Sequence, residues 1–567
     1  MPSTKTVLAT FAILAVVLFA GIGNVGLFDV DEAIFAEASA EMLETGDFVT
    51  PTYNAEPRYH KPPFIYWVQA ESMEIFGKTA FAARLPSAIF AFFTLLLFYT
   101  FLERLTANRR FALTATVILG LNTSFYLVAH AATADMALNF FILATTMAFI
   151  AMIYAKQAAP FAPFVGGLIL AAAFLSKGPV ALMVPCIVIG LITFVKPGIW
   201  HNFKRINPIL ALIALLLGIA PWLYLIIDAK GLDFFKEFWL VHNIGRFTEA
   251  MGNTQTTSKA YYIFVVMFGL FPWALLFPSA LNWVRKGFIA RLRSANVIEA
   301  LPAVGLVWFL AVVVFFSFSQ TKLPHYILPA YAGFALLIAG RLEDMWKNPP
   351  HMAQLIWMLP YILIFSLVFM LLPYAPDIAL GNINNLPTSL QYIFAALNIE
   401  ITPLSVQKAA IWQQNVHIPF AVKGIAISFA MGSIFGLWMI MNKMRQGVTV
   451  LALSTTISLL MMTNSLVPTA YALMQQHLAT IGENIKENYI EGESQVYFVA
   501  IHQPSVRFVS GKPFTSIGHP NMLKPTKAHT FYVFKLENLP AMRQQLTPET
   551  YSEDCAGGYC LIEANKK

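Results

Sequence analysis

Charge is what this sequence has least of. Of its 567 residues only 12% are Asp, Glu, Lys or Arg, while 57% are hydrophobic. Soluble proteins carry roughly 25% charged residues. The shortage extends over most of the chain, which excludes a soluble domain with a single anchor. Cysteine is scarce as well, and three residues are too few for a disulfide scaffold. Cys186 lies within an apolar run and reads as an inert packing residue. Cys555 and Cys560 are close enough to pair if their end of the chain meets an oxidising compartment. Repeats of fixed period and low-complexity tracts are absent, and no G-x-G-x-x-G motif offers a soluble nucleotide site. The net charge of +7 does not mark a nucleic-acid binder. Its basic residues fall in short loops between apolar runs and form no continuous patch.

What is present is long apolar segments. A bilayer core of about 30 Å needs roughly 20 apolar residues per helix, and on that ruler the chain holds about thirteen spans. They lie near 7–27, 80–102, 111–130, 134–155, 161–176, 179–195, 208–227, 260–282, 300–318, 323–340, 353–373, 419–441 and 448–468. The first is too long for a signal-peptide core and no cleavage site follows it, so it reads as a membrane helix. Every second loop is basic: Arg104, Arg109 and Arg110; Lys156; Lys196, Lys204 and Arg205; Arg285 to Arg293; Arg341 and Lys347; Lys443 and Arg445. The positive-inside rule then puts the N-terminus in the cytoplasm and the alternate loops outside. Residues 1–470 form the membrane domain, with a large first outward loop over 28–79. Residues 471–567 turn polar and contain strand-like runs at Gln495–Ile501, Thr530–Phe534 and Tyr559–Ile562, with a helix-like stretch at Leu539–Leu546. They predict a small outward-facing α/β domain.

The first outward loop begins LFDVDEAIFAEASAEMLETGD, a pattern that predicts an amphipathic helix lying in the membrane interface. Glu37, Glu41, Glu44 and Asp47 read as its solvated acidic face. Asp29, Asp31 and Glu32 differ, because carboxylates bordering a low-dielectric region more often have a task. Further along the loop, PRYHKPPFIYW supplies Arg58, His60 and Lys61. Asp135 in HAATADMALNFF, Lys177 in AFLSKGPVALMVP, and Lys322 and Tyr326 in FSQTKLPHYILPAY are also unusual beside membrane helices. Each alone could be a snorkelling or turn residue. Topology gathers them at one face, where lysines beside carboxylates suit a phosphorylated, membrane-borne substrate.

The run DEAIFAEASAEML, then YHKPPFIYW, Asp135, Lys177-Gly178 and TKLPHYILP resembles the GT-C glycosyltransferases of the aminoarabinose lipid A transferase and protein O-mannosyltransferase type. The resemblance covers the architecture of the chain and is nearest to the bacterial lipid A transferases. It implies an all-α polytopic membrane fold of the GT-C type, with about thirteen helices, in the bacterial inner membrane. It matches Asp31 to the acidic residue of the first loop and Asp135 to a second carboxylate, with Glu32 beside Asp31. Lys61, Arg246 and Tyr326 match the clamp on the polyprenyl phosphate, joined by Arg58, Lys177 and Lys322. One departure is His60 where the family often has Glu before Lys-Pro. His60 and His242 could supply a partial site for a divalent metal, although two scattered histidines are more often hydrogen-bonding residues.

The resemblance implies inverting transfer of a sugar, an aminosugar such as 4-amino-4-deoxy-L-arabinose, from undecaprenyl phosphate to lipid A phosphate. The partners are then the lipid-linked donor, a cell-envelope acceptor and membrane lipids, with no nucleic acid. Transfer to a protein or another glycan is the alternative within the class. A lipid-linked-sugar flippase is the alternative outside it. Transporters place charges near the bilayer midplane between repeated halves, whereas here the charges gather at one interface and no repeat is visible.

Overall fold

The computed structural model describes residues 2–154, 159–245, 260–348, 358–391, 419, 421–523, 529–546 and 551–564. The first helices follow one another as α1 (Thr4–Phe19), α2 (Asp31–Thr45), α3 (Phe64–Phe76), α4 (Ala80–Thr106), α5 (Arg109–Gly120), α6 (Thr123–Ala129), α7 (Asp135–Tyr154), α8 (Ala162–Lys177) and α9 (Val180–Val195). Polar caps set several of the starts. Ser3, Thr79, Asn108 and Asn122 each accept a first-turn N–H of the helix that follows, satisfying donors with no intrahelical partner.

Among the described residues seven helices are long and apolar enough to cross a membrane: α4, α7, Ile199–Lys230, Val297–Ser317, Leu359–Ile378, Ala421–Met441 and Gln446–Met474. Two bent pairs raise the number to nine. They are α5 with α6, at 68°, and Tyr261–Gly269 with Trp273–Arg285, at 111°. Helices α1, α8 and α9 are apolar but shorter. Among the described residues the expected count of thirteen is therefore not reached by length and composition: two expected spans are bent pairs, and α1, α8 and α9 fall short of the length required. The chain is nonetheless a multi-spanning, mainly helical membrane protein. Close helix approach has a visible cause at Gly305 and Gly333, where a Cβ on either would strike the other's carbonyl. Cys186 is exposed on the surface of α9, so the expectation of a packed interior cysteine is corrected.

The C-terminal part carries a five-stranded sheet with β1 and β2 reserved for a small hairpin in the first loop, Thr52–Tyr53 and Glu56–Pro57. The sheet strands are β3 (Ser494–Val499), β4 (Thr515–Ile517), β5 (His529–Lys535), β6 (Tyr551–Ala556) and β7 (Tyr559–Ala564), in the order β4-β3-β5-β7-β6. β3 runs parallel to β4 and β5, while β7 is antiparallel to β5 and β6. β5 is central and buried along all but its last residue, which explains its unbroken apolar TFYVF run. Cys555 and Cys560 form a disulfide across the β6–β7 hairpin. The three strand-like runs of the sequence correspond to β3, β5 and β7. The edge strands β4 and β6 and the helix Pro504–Ser510 have weaker patterns and were not expected.

Helix α2 departs furthest from expectation. Residues 32–42 are buried all round, so it is no interfacial helix with a wet face. Glu37 is 0% and Glu41 4% exposed, against the solvated acidic face read from sequence. The reason is tertiary: α3 and the Pro504–Ser510 helix of the C-terminal part both pack on α2.

Candidate active site

Asp31 is the first residue of α2 and is exposed, whereas its neighbour Glu32 points inward. The Glu32 carboxylate accepts bonds from Arg84 Nε (2.9 Å) and Nη2 (2.7 Å) and from the backbone N–H groups of Phe28 (2.9 Å) and Ala132 (2.8 Å). Arg84 in turn donates to the carbonyls of Ile22, Val25 and Gly26. Burial alone would raise the Glu32 pKa, but Arg84 and the backbone donors hold it below the ordinary carboxylate value. Four bonds leave this carboxylate committed to joining α1's exit, α2, α4 and the start of α7. Glu32, expected beside Asp31 among the catalytic residues, thus has its oxygens occupied by Arg84 and two backbone donors.

Asp135 opens α7 and is 6% exposed. Its Oδ1 accepts from Lys177 Nζ at 2.5 Å, and its Oδ2 lies 3.8 Å from His325 Nε2. Lys177 ends α8, and Gly178, at φ +82°, reverses the chain at once into α9. A side chain is strained at that φ, so the glycine is a requirement of the turn. The ammonium of Lys177 also stands 5.2 Å from the centre of the Tyr326 ring, which is in edge contact with His325. His325 and Tyr326 lie in a short 3₁₀ turn, Pro324–Ile327.

His325 is the point on which the cluster converges. Its imidazole is half-buried, and Asp135, Lys177, Asp31 and Lys61 all act on it electrostatically. Lys61 also acts electrostatically on Asp135. Four residues singled out from sequence, Asp31, Lys61, Asp135 and Lys177, thus share one neighbourhood with Tyr326 in contact. His325 was passed over, although its place between Pro324 and Tyr326 in the quoted run was the available signal.

Lys61 is 8% exposed and follows the β1–β2 hairpin. Asn54 and Ala55 take positive φ values of 54° and 64° at the turn, and Glu41 holds it by accepting from Thr52 Oγ1, Asn54 N and Ala55 N. Arg58 donates from Nε to the Tyr66 hydroxyl at 3.2 Å and lies over the Phe35 ring. Lys322 is buried and donates to the carbonyl of Ser319 at 2.6 Å. Arg246 lies outside the described residues, as does the side chain of His242, so the His60–His242 pair is not testable here. Among the described residues no three His, Cys, Asp or Glu side chains group as a metal site.

A second set of contacts fastens the loop to the C-terminal part. Asp29 accepts from Ser505 N (2.8 Å) and Oγ (2.5 Å). Burial pushes its pKa up to about 6 despite those bonds. Arg507 lies 3.1 Å from Glu37 and 3.5 Å from Glu41, Lys78 lies 3.0 Å from Glu37, and Asn54 exchanges hydrogen bonds with the backbone of Phe514. Ser505, Arg507 and Phe514, several hundred residues away in the chain, carried no local signal.

Known proteins share parts of this sequence and its fold. The family model described as dolichyl-phosphate-mannose-protein mannosyltransferase matches residues 60–225. ArnT from Cupriavidus metallidurans, solved with undecaprenyl phosphate, superposes over the full length of both chains with a TM-score of 0.77 at 19% identity. An uncharacterized protein of Aquifex aeolicus is 33% identical over 321 residues, covering 56% of this chain and 69% of its own. The chain belongs to the GT-C glycosyltransferases. Another relative of this GT-C protein is the undecaprenyl phosphate-alpha-4-amino-4-deoxy-L-arabinose arabinosyl transferase of Aeromonas hydrophila, 31% identical over 328 residues. That match spans 57% of each chain.

Proposed function

We propose that this GT-C protein transfers a sugar, most closely an aminosugar such as 4-amino-4-deoxy-L-arabinose, from undecaprenyl phosphate to a phosphate of lipid A at the outer face of the bacterial inner membrane. The observation that carries the reading is the meeting of α7 and α8 with the Pro324–Ile327 turn, where Lys177 lies 2.5 Å from Asp135, His325 3.8 Å from the same carboxylate, and the Tyr326 ring 5.2 Å from the Lys177 ammonium. The arabinosyl transferase relatives and the fold shared with ArnT support it. The basic loops support the N-terminus-inside orientation, and the Cys555–Cys560 disulfide suits a domain in an oxidising compartment.

In this mechanism a lipid A phosphate oxygen attacks the anomeric carbon from the face opposite the donor phosphate, and configuration inverts. The new C–O bond forms as the bond to the polyprenyl phosphate breaks. Lys61, Arg58, Lys177 and Arg246 stabilise the charge left on that phosphate, with Tyr326 donating a hydrogen bond. A phosphate arriving at Lys177 competes with Asp135, and the displaced carboxylate is then free to pair with the amino group of the sugar. The acceptor phosphate is already ionised and needs no base, so Asp31 orients the sugar.

The family-model match supports a second reading, a protein hydroxyl acceptor. Asp31 would then serve as general base, because a neutral hydroxyl must lose its proton during attack. The deciding experiment is reconstitution of the purified protein in liposomes with undecaprenyl-phosphate-linked aminoarabinose and lipid A, read by mass spectrometry. A pendant aminosugar on lipid A is expected. Unmodified lipid A, with donor consumed by a peptide acceptor instead, would reject the lipid A reading in favour of the second.

A further inference from the structure

The C-terminal sheet has a crevice that the chemistry above does not use. Three strands, β4, β3 and β5, run parallel, and the chain leaves β3 on one side to make β4 before returning on the other side to make β5. Strand order therefore reverses beside β3. In open α/β sheets the carboxyl ends of the strands at such a reversal form a natural ligand crevice, because the connections diverge there. A crevice of about 430 Å³ occurs at this place. It is lined by the residues after β3 (Ala500–Gln503), by the end of β4 (Ser516–Gly518) and by Lys535, the last residue of β5.

The lining has a definite chemistry. It offers the Lys535 ammonium, the His502 imidazole, the Ser516 hydroxyl and the Gln503 amide, and contains no carboxylate. Lys535 is exposed and makes no ion pair among the described residues. Arg58 of the first loop adds positive potential, since it acts together with burial to depress the His502 pKa. The crevice is also fixed relative to the active-site loop. His502 packs edge-on against the Tyr53 ring at 5.6 Å, and the Gln503 amide, in its better-satisfied orientation, donates to Asp29 at 2.8 Å. One ammonium with hydroxyl, imidazole and amide partners, and no carboxylate among the described lining residues, in a concave site beside the loop that carries Asp31 and Lys61, suits an anionic saccharide headgroup.

We propose that the crevice between the carboxyl ends of β3, β4 and β5 is an accessory subsite, in which Lys535, Ser516 and His502 hold an anionic group of the acceptor headgroup distant from the reacting phosphate. This rests on the acceptor reading above, and its test separates the two. First, the full-length protein in nanodiscs is treated with an amine-reactive reagent, with labelling of Lys535 followed by mass spectrometry. A bisphosphorylated glucosamine disaccharide should slow labelling at least tenfold more effectively than inorganic phosphate at equal concentration. Equal protection by both, or protection by neither, overturns the subsite. Secondly, in the transfer assay Lys535→Ala and Ser516→Ala should raise the acceptor KM about fivefold to tenfold, with kcat and donor KM unchanged and Lys535→Arg close to wild type. An unchanged acceptor KM in both alanine variants also overturns it. If no acceptor is modified while selective protection of Lys535 persists, the proposed function fails and the subsite stands.

Discussion

Helix α2 carries two sets of carboxylates that meet opposite fates. At its first residue Asp31 remains exposed, within electrostatic range of His325 and of the cluster containing Lys61, Asp135 and Lys177. From its second residue onward, Glu32, Glu37 and Glu41 are sealed against Arg84, Lys78 and Arg507. The first set keeps its charge accessible to a substrate. The second spends its charge on holding the loop to α4 and to the C-terminal part. A carboxylate is thus assigned to chemistry or to architecture by what covers it, even between neighbours in sequence. The architectural set serves the chemical one, because the elements it ties together are those that carry Asp31, Lys61 and Asp135.

The comparison predicts unlike consequences on the two sides. The largest effect belongs to the sealed set. Glu32→Gln or Arg84→Met leaves one buried charge unpaired, which costs about 3–5 kcal/mol. Thermal unfolding in detergent should show a much lower Tm, and an unchanged Tm would break the distinction. Next, Asp31→Asn should reduce transfer about 100-fold while Tm and membrane abundance hold, since removing one catalytic electrostatic or acid–base group costs on the order of 10²-fold. Lys61→Ala should raise the donor KM about tenfold, corresponding to loss of one charge-assisted contact of about 1.4 kcal/mol.

The smallest effect concerns pH. Asp29 titrates near 6 when folded, above its ordinary 3.8, because burial disfavours the charged form. A raised folded pKa means that its contribution to stability is complete below the unfolded value and is lost as pH rises through about 6. Glu37, also raised by burial, acts in the same direction. Hydrogen-exchange protection of residues 28–33 and 503–507, corrected for intrinsic exchange, should fall between about pH 4 and pH 6 in the wild type, and the fall should shrink in Asp29→Asn. A full-sized fall in that variant would assign the titration to Glu37 alone.

Much of the membrane part was legible because burying apolar length in lipid is a local demand, written residue by residue. Apolar runs located helices at α4, α7 and Val297–Ser317, and the central strands β3 and β5 followed from short buried runs. The count of spans was not legible, since bends such as the 68° break between α5 and α6 do not change hydropathy. In the site, Lys177-Gly178 could be noticed because a tight turn between apolar runs leaves a lysine conspicuous. His325 could not be ranked, because its importance lies in four partners drawn from three other parts of the chain. The roles of Glu37 and Glu41 were misjudged for the same reason: a helix pattern records its own faces and not the Pro504–Ser510 helix that covers one of them.

By itself, then, the sequence determined a multi-spanning membrane protein with a polar C-terminal domain, and it named the charged residues that lipid would not tolerate without a purpose. Those conclusions depend on transfer energies of single residues and short windows. Only the tertiary structure decided that Asp31 stays exposed while Glu32 locks to Arg84, that Asp135 pairs with Lys177, and that Ser505 and Arg507 clasp the first loop. Those pairings join positions from 42 to 476 residues apart. Their energies depend on separations of about 3 Å and on what is excluded from between them, neither of which a linear pattern records.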